Sequence, residues 1–274
     1  MTGLRAGNGT GADEVAQASE DAMGEGVLVK VEIWSDVVCP WCYIGKRRFE
    51  EALRRFPHAD QVQVEWKSFE LDPEAVSDPA ADAVGQGPDY ADRLARKYAT
   101  SREQAQRMLD NMTEVAAAEG VPIHFERAVS ANTFAAHQVI HLAAAQGLQT
   151  AMKERLLRAY FVEGRAVGDA AVLEELAVGV GLDAGEVRET LRTERFAPAV
   201  RADEAEARML GITGVPFFVV DRRYGVSGAQ SPEHLLQVLE KAWAERMPLT
   251  MVTPPADPQT DAAGEVCGPD GCAV

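Results

Sequence analysis

One stretch, WSDVVCPWCYIG (residues 34–45), constrains the fold of this chain more than any other. It joins two patterns of different period. Upstream, VLVKVEIWSDV (27–37) alternates, with Val29, Val31 and Ile33 on one side, which predicts a strand. From Pro40 onward, Tyr43, Phe49, Leu53 and Phe56 recur at helical spacing. Pro40 suits the first helical position, where a missing N–H costs nothing. The junction carries two cysteines, Cys39 and Cys42. A thiol is a nucleophile only as thiolate, and a helix N-terminus favours the anion, so Cys39 is the candidate attacker. Cys42, one turn further in, is placed to resolve a mixed disulfide at Cys39. A strand–CxxC–helix arrangement is more specific than CxxC alone.

The rest of the chain extends this start. QVQVEWKSFEL (61–71) reads as a second strand, with Val62, Val64, Trp66 and Phe69 as its apolar residues, and Gly, Pro and Asp then cluster in a connecting loop over 72–89. The next hundred or so residues are helical in pattern. One helix opens at Thr100 or Ser101, with Glu103 at the capping-box position for Thr100. Others are expected over 131–146, 150–162, 169–178 and 183–210, the last with a break at Pro198. Strand patterns return at GVPFFVVD (214–221) and YGVSGAQ (224–230), followed by a helix with Ser231 as N-cap and Pro232 at its first position. The expected fold class is α/β. Residues 27–78 and 212–246 build a sheet-containing domain, and 79–211 form an all-helical insertion within it. Residues 1–26 form a disordered extension and 247–274 a flexible tail, both without a periodic apolar face.

Charge narrows the function classes. The chain of 274 residues carries a formal net charge of −16, but both ends are acidic on their own. Residues 1–26 set Arg5 against five acids, and 247–274 hold four acids with no Lys or Arg. An acidic chain without a basic patch argues against nucleic acid and anionic lipid as partners. No basic start followed by an apolar run marks a secretory leader, and no window reaches a membrane span. The expected location is therefore cytoplasmic, where a structural disulfide is improbable and close cysteine pairs point to catalysis or metal. Met23 is an alternative start.

Several further residues carry chemistry. Pro216, in GITGVPFF, opens an apolar strand without a donor to give the sheet. Were the Val215–Pro216 bond cis, the backbone of Val215 would lie open beside the dithiol, able to pair with a polypeptide. Asp36, three residues before Cys39, is either a proton relay for Cys42 or a strand-end turn residue, and both readings stand. Trp41 is expected to be partly exposed in the CxxC turn and to contact an unfolded substrate. The remaining cysteines, Cys267 and Cys272, flank Gly-Pro-Asp-Gly, a turn sequence that brings the sulfurs together. A tether of roughly 20 residues reaches about 25 Å, enough for an auxiliary redox pair exchanging with Cys39–Cys42, the alternative being incidental thiols on a disordered tail. His137 and His141 stand one helical turn apart, but no Glu follows the first as a hydrolytic zinc site needs, so no metal site is assigned. Arg47, Arg48, Arg54 and Arg55 read as a solvated helix face.

With these residues in view, the chain resembles the DsbA family of thioredoxin-fold dithiol–disulfide oxidoreductases, and most the cytoplasmic FrnE-like branch. The segments that carry the resemblance are SDVVCPWCYIGKRRFEEAL, NTFAAHQVIHLAAAQG, AYFVEG, GITGVPFFVVDRRYGVSGAQ and the tail CGPDGC, in order over about residues 27–246 plus the tail. The resemblance implies a thioredoxin fold with an inserted helical domain, Cys39 as nucleophile, Cys42 as resolving thiol and a cis peptide before Pro216. Better-known periplasmic oxidants of this family carry His where this chain has Trp41. Without that cation the potential is expected on the reducing side of the superfamily range of roughly −120 to −270 mV.

The expected function is thus a protein thiol–disulfide oxidoreductase or isomerase that needs no bound cofactor. Its partners are disulfide-bearing proteins or peptides and a thiol reductant, either a low-molecular-weight thiol or a thioredoxin system. Two alternatives share the residues. One is a glutathione-dependent small-molecule isomerase or transferase, whose relatives present a serine or lone thiol in place of the pair. The other is a zinc protein using all four cysteines, which CxxC and CxxxxC spacings permit.

Overall fold

The computed structural model describes residues 29–77 and 89–246. Four strands make one sheet in the order β2–β1–β3–β4, from β1 (Val29–Ser35), β2 (Val62–Ser68), β3 (Phe217–Val220) and β4 (Tyr224–Ser227). β1 and β2 run parallel and are joined over α1 (Pro40–Arg55), as parallel neighbours require a crossover. β3 lies antiparallel to β1 and to β4. The α/β arrangement expected from the sequence is present.

Between β2 and β3 the chain forms α2 (Tyr90–Lys97), α3 (Arg102–Ala118), α4 (Phe134–Ala144), α5 (Gln149–Phe161), α6 (Ala170–Val180), α7 (Ala184–Thr193) and α8 (Ala197–Met209). A last helix, α9 (Pro232–Ala244), starts from Ser231, whose side chain accepts from His234 N. Two expectations shift locally. The capping box of α3 is Ser101 with Gln104, not Thr100 with Glu103. The break in the 183–210 pattern falls at Glu194, whose left-handed backbone (φ 50°) closes α7, while Pro198 sits in the first turn of α8. Proline is tolerated there because the first-turn N–H groups have no intrahelical acceptor.

β1 alternates in sequence yet is buried along almost its whole length, because both faces are covered. On one face Val29, Val31 and Ile33 join Phe49 and Ala52 of α1 and Leu235 and Leu239 of α9. That core continues without interruption into Val139 and Ile140 of α4, Leu156 and Leu157 of α5 and Leu176 of α6. On the other face Trp34 packs with Ala207, Ile212 and Val219, and its Nε1 donates to Asp203 O of α8 at 2.9 Å. Glu32, also on that face and 1% exposed, is neutralised by Arg222. The free edge of β2 is covered by a side chain. Gln149 accepts from Trp66 N (2.9 Å) and donates to Trp66 O (2.8 Å), as a neighbouring strand would. α5 is thereby tied to the sheet level with the end of β1.

The Trp34–Asp203 bond is what joins α8 to the centre of the sheet. Trp34→Phe loses that hydrogen bond and part of a fully buried ring, so the variant is expected to be less stable by about 2–4 kcal/mol. Urea unfolding at matched pH measures this as a lower midpoint with unchanged slope.

Candidate active site

The dithiol sits where the spacing placed it. Cys39 is the N-cap of α1, with extended backbone (φ −96°, ψ 114°), and Pro40 fills the first helical position. Cys39 O accepts from Cys42 N and Tyr43 N, so the first turn winds directly around the pair. Both cysteines are free thiols and both are buried, Cys39 at 4% and Cys42 at 1% exposure. The Val215–Pro216 bond is cis, and Cys39 Sγ stands 3.5 Å from Val215 O. Residues 176 positions apart in the chain are thus in contact.

A glycine makes that approach possible. A Cβ on Gly45 would lie 2.9 Å from Cγ of Pro216 and 3.5 Å from Phe218. The bare backbone of α1 therefore rests against the proline ring, which holds the 213–216 loop over the helix N-terminus.

Beneath the sulfurs lie groups of opposite charge. Lys153, on α5, is 1% exposed and donates to Ser35 O at 3.0 Å. Its helix is held on α1 by its neighbour Glu154, which meets Tyr43 Oη (2.8 Å), Lys46 Nζ (2.6 Å) and Arg47 Nη2 (2.5 Å). Burial pulls the Lys153 ammonium down to about 8, against the opposing pull of Cys42, Asp36 and Cys39. Asp36 is fully buried. Its Oδ1 accepts from Val37 N (2.7 Å) and its Oδ2 from Leu71 N (2.8 Å). Burial opposes its charge, but His137, the Leu71 N–H and Lys153 together hold the carboxyl below its usual range. His137 Nε2 lies 3.4 Å from Oδ1, outside hydrogen-bond alignment. Both readings of Asp36 find support in position: it caps the turn after β1, and it is an acid beside the dithiol. A carboxyl held ionised carries protons poorly near neutral pH.

The two sulfurs shift each other's titration in opposite directions. Burial resists a charge on Cys42, yet the hydrogen bond from Cys39, the Lys153 ammonium, the Ser35 side chain and the Asp36 N–H bring it below an ordinary thiol. The hydrogen bond with Cys42, then burial, push Cys39 well up. Such a pair titrates as a unit, but the two sulfurs differ in access. A cleft of about 990 Å³ opens on Cys39, between Trp41, Phe69 and Val215 on one side and Tyr90, Met112 and Tyr160 on the other; Cys42 does not line it. A disulfide entering the cleft meets Cys39 first.

Trp41 is 36% exposed at the cleft mouth, as expected of that position. The remaining expectations fare differently. His137 and His141 face separate carboxylates, His141 standing 3.1 Å from Asp203 Oδ2 and from Ser68 Oγ. Arg47 and Arg48 are not a solvated face. Arg47 binds Glu154, and Arg48 binds Glu119 (2.6 Å) and Ala229 O (2.6 Å), so both tie α1 to its neighbours. Among the described residues no group of three or more His, Cys, Asp or Glu side chains converges on a metal position. No helix among them is long and apolar enough to cross a membrane. Cys267 and Cys272 lie outside the described residues, as do the 1–26 extension and the tail. Lys153 and Gly45 escaped the sequence reading. MKERLL looks like any amphipathic helix, and a glycine in a helix does not announce what lies against it.

Known proteins share this plan. The family model of the DSBA-like thioredoxin domain matches residues 30–240. The structure of a probable DsbA oxidoreductase from Streptomyces coelicolor is 47% identical, covers 90% of this chain and 99% of its own, and superposes with a TM-score of 0.76. An uncharacterized protein of Bacillus subtilis, YwbO, is 30% identical over 203 residues, 71% of this chain and 88% of that one. At 21% identity, the cytosolic disulfide reductase DsbM from Pseudomonas aeruginosa shares the fold, with a TM-score of 0.55 over 78% of this chain and 98% of its own.

Two outcomes are expected from this geometry. Gly45→Ala gains roughly 1 kcal/mol of helix propensity but drives a methyl into Pro216, and overpacking of about 1–3 kcal/mol wins. Thermal unfolding should show the loss of stability. Lys153→Met removes the buried cation, so the first thiolate, followed by ultraviolet absorbance against pH, should appear about 1–3 units higher. Stability carries a sign as well. Unfolded Lys153 keeps its proton to about the ordinary lysine value of 10.5, whereas in the folded chain it is lost near 8. Between these values the unfolded state binds more protons and the wild type gains stability as pH rises. The methionine variant should lack that component of the slope.

Proposed function

We propose a reaction from one premise: this chain belongs to the DSBA-like thioredoxin domain family. It is a dithiol–disulfide oxidoreductase of polypeptides, working as a reductase or isomerase. The observation that carries this reading is the placement of Cys39 at the cleft beside Val215 with Cys42 directly behind it.

Cys39 as thiolate attacks the nearer sulfur of a substrate disulfide. A Cys39–substrate bond forms, the substrate S–S bond breaks, and one substrate sulfur leaves as thiolate and takes a proton from water. Cys42 gives up its proton, which the departing second substrate sulfur takes up through water, and attacks Cys39 Sγ as thiolate. The mixed disulfide breaks, the second substrate thiolate leaves, and two electrons have passed from the dithiol to the substrate. Two thiols of an external reductant, a low-molecular-weight thiol or a thioredoxin system, restore the pair. No bound cofactor takes part. In an isomerase cycle the released substrate thiolate instead attacks the mixed disulfide, and Cys39 leaves unchanged.

Each buried group has a part. Lys153 stabilises the Cys42 thiolate at the resolving step and, with its proton held near pH 8, can accept or release one there. Asp36, ionised and held by backbone donors, offsets that cation and keeps Lys153 charged. The two charges nearly cancel, and Trp41 adds none at the surface. This supports a potential on the reducing side of strongly oxidising relatives, whose reduced form an extra cation stabilises. Trp41 and the Val215 backbone receive the polypeptide. A reducing potential suits the cytoplasm, which is the proposed location. A glutathione-dependent isomerase or transferase on this fold has no use for a second thiol buried behind the first, so the intact pair favours redox chemistry.

The test is insulin reduction with dithiothreitol as reductant. Cys39→Ser should lose at least about 10²-fold in rate, since no other described thiol reaches the cleft. Cys42→Ser should still attack but fail to resolve, accumulating a reducible covalent complex with substrate on non-reducing gels. Full activity in Cys39→Ser would overturn the assignment.

A further inference from the structure

The cleft carries a pattern of side chains that thiol chemistry does not use. Among the described residues, seven large hydrophobic side chains are exposed, and three of them, Trp41 (36%), Tyr98 (56%) and Met108 (39%), line this one cleft. An apolar wall at the mouth of a reactive site, with an adaptable methionine in it, suits a polypeptide of varied sequence. The charges around that wall are not balanced. Two carboxylates line the cleft, one paired with a cation and one holding only a backbone N–H. Glu70, with a fully buried side chain, receives Arg201 at 2.6 Å. Asp72 accepts from Glu74 N at 3.2 Å. Of the three cations, Arg93 donates to Ala128 O at 2.7 Å and stacks over Tyr90. Arg96 and Lys97, in the last turn of α2, are exposed and meet no carboxylate among the described residues. The helix C-terminus accounts for part of their presence there, since its carbonyls favour cations. It does not account for uncommitted positive charge at the reactive cleft of a chain whose formal net charge is −16.

We propose that Arg96 and Lys97 select disulfide-bearing polypeptides with acidic side chains flanking the reacting cysteine. This deepens the redox reading and rests on it. The chain's overall charge repels acidic partners at long range, whereas these two cations attract an acidic segment once it enters the cleft. The effect therefore falls on capture, and salt weakens it.

The test uses full-length reduced protein and synthetic peptides closed by one internal disulfide. The peptides are identical except that the residues flanking one cysteine are Asp, Asn or Lys. Single-turnover reduction at low and high salt gives kcat/KM for each. The Asp peptide should react about tenfold faster than the Lys peptide at low salt, the preference shrinking at high salt. Arg96→Gln with Lys97→Gln should abolish the preference, bringing the Asp and Lys peptides to equal rates at low salt. Arg188→Gln with Arg192→Gln, on α7 and outside the cleft, removes the same charge and should preserve it. Equal rates for the three peptides, or a preference surviving the Arg96/Lys97 substitutions, overturn the selectivity alone. No reduction of any peptide by wild type overturns the redox reading and the selectivity with it.

Discussion

Two sulfurs held out of water within reach of a buried ammonium and a buried carboxylate are the constraint around which this molecule is organised. Either charge alone would be costly in an apolar interior, and the shared thiolate would be costlier still. Together they tolerate burial because each is met. Lys153 donates to Ser35 O, Asp36 is held by the N–H groups of Val37 and Leu71, and the Lys153 ammonium favours charge on Cys42. Meeting these demands requires four separate parts of the chain at one point: the end of β1, the first turn of α1, the segment after β2 and the middle of α5.

The surrounding architecture holds those parts in register. Glu154 gathers Lys46, Arg47 and Tyr43, locking α5 onto α1 one residue from Lys153. Gln149, one turn earlier, pairs with the backbone of β2. α5 is thus clamped to helix and sheet, and its lysine points to the dithiol rather than to water. From the other side, the side-chain-free surface at Gly45 lets the Pro216 loop close over the helix N-terminus. Polar ties do the positioning here, whereas the apolar core supplies the bulk of the driving force.

Burial of Cys42 and access to Cys39 follow from the same arrangement. Cys39 faces a cleft walled by α2, α3 and the 213–215 loop, while Cys42 faces Ser35 and Lys153. The electrostatics favour charge on Cys42 over Cys39, and the geometry opens Cys39, not Cys42, to the cleft.

Much of the fold was legible from local pattern. The alternation before Trp34, the helical period after Pro40, the Ser231–Pro232 start of α9 and the strand beginning near Pro216 all depend on neighbours a few residues away, and each appears where periodicity and capping place it. Cys39 and Cys42 were legible for the same reason, since a helix N-cap is a local property. What local pattern misjudged was what each face would meet. The alternation of β1 suggests a half-solvated strand, and tertiary packing buried both sides. Arg47 and Arg48 look solvated in sequence, and distant carboxylates and a carbonyl claim them. Lys153, 118 residues from Ser35, and Val215, 176 from Cys39, have no local signature at all. The sequence by itself determined where a reactive dithiol could form. Only the tertiary structure decided which charges lie beneath it and which sulfur faces the cleft, because burial and Coulomb interactions depend on distance in space, and chain separation carries no information about either.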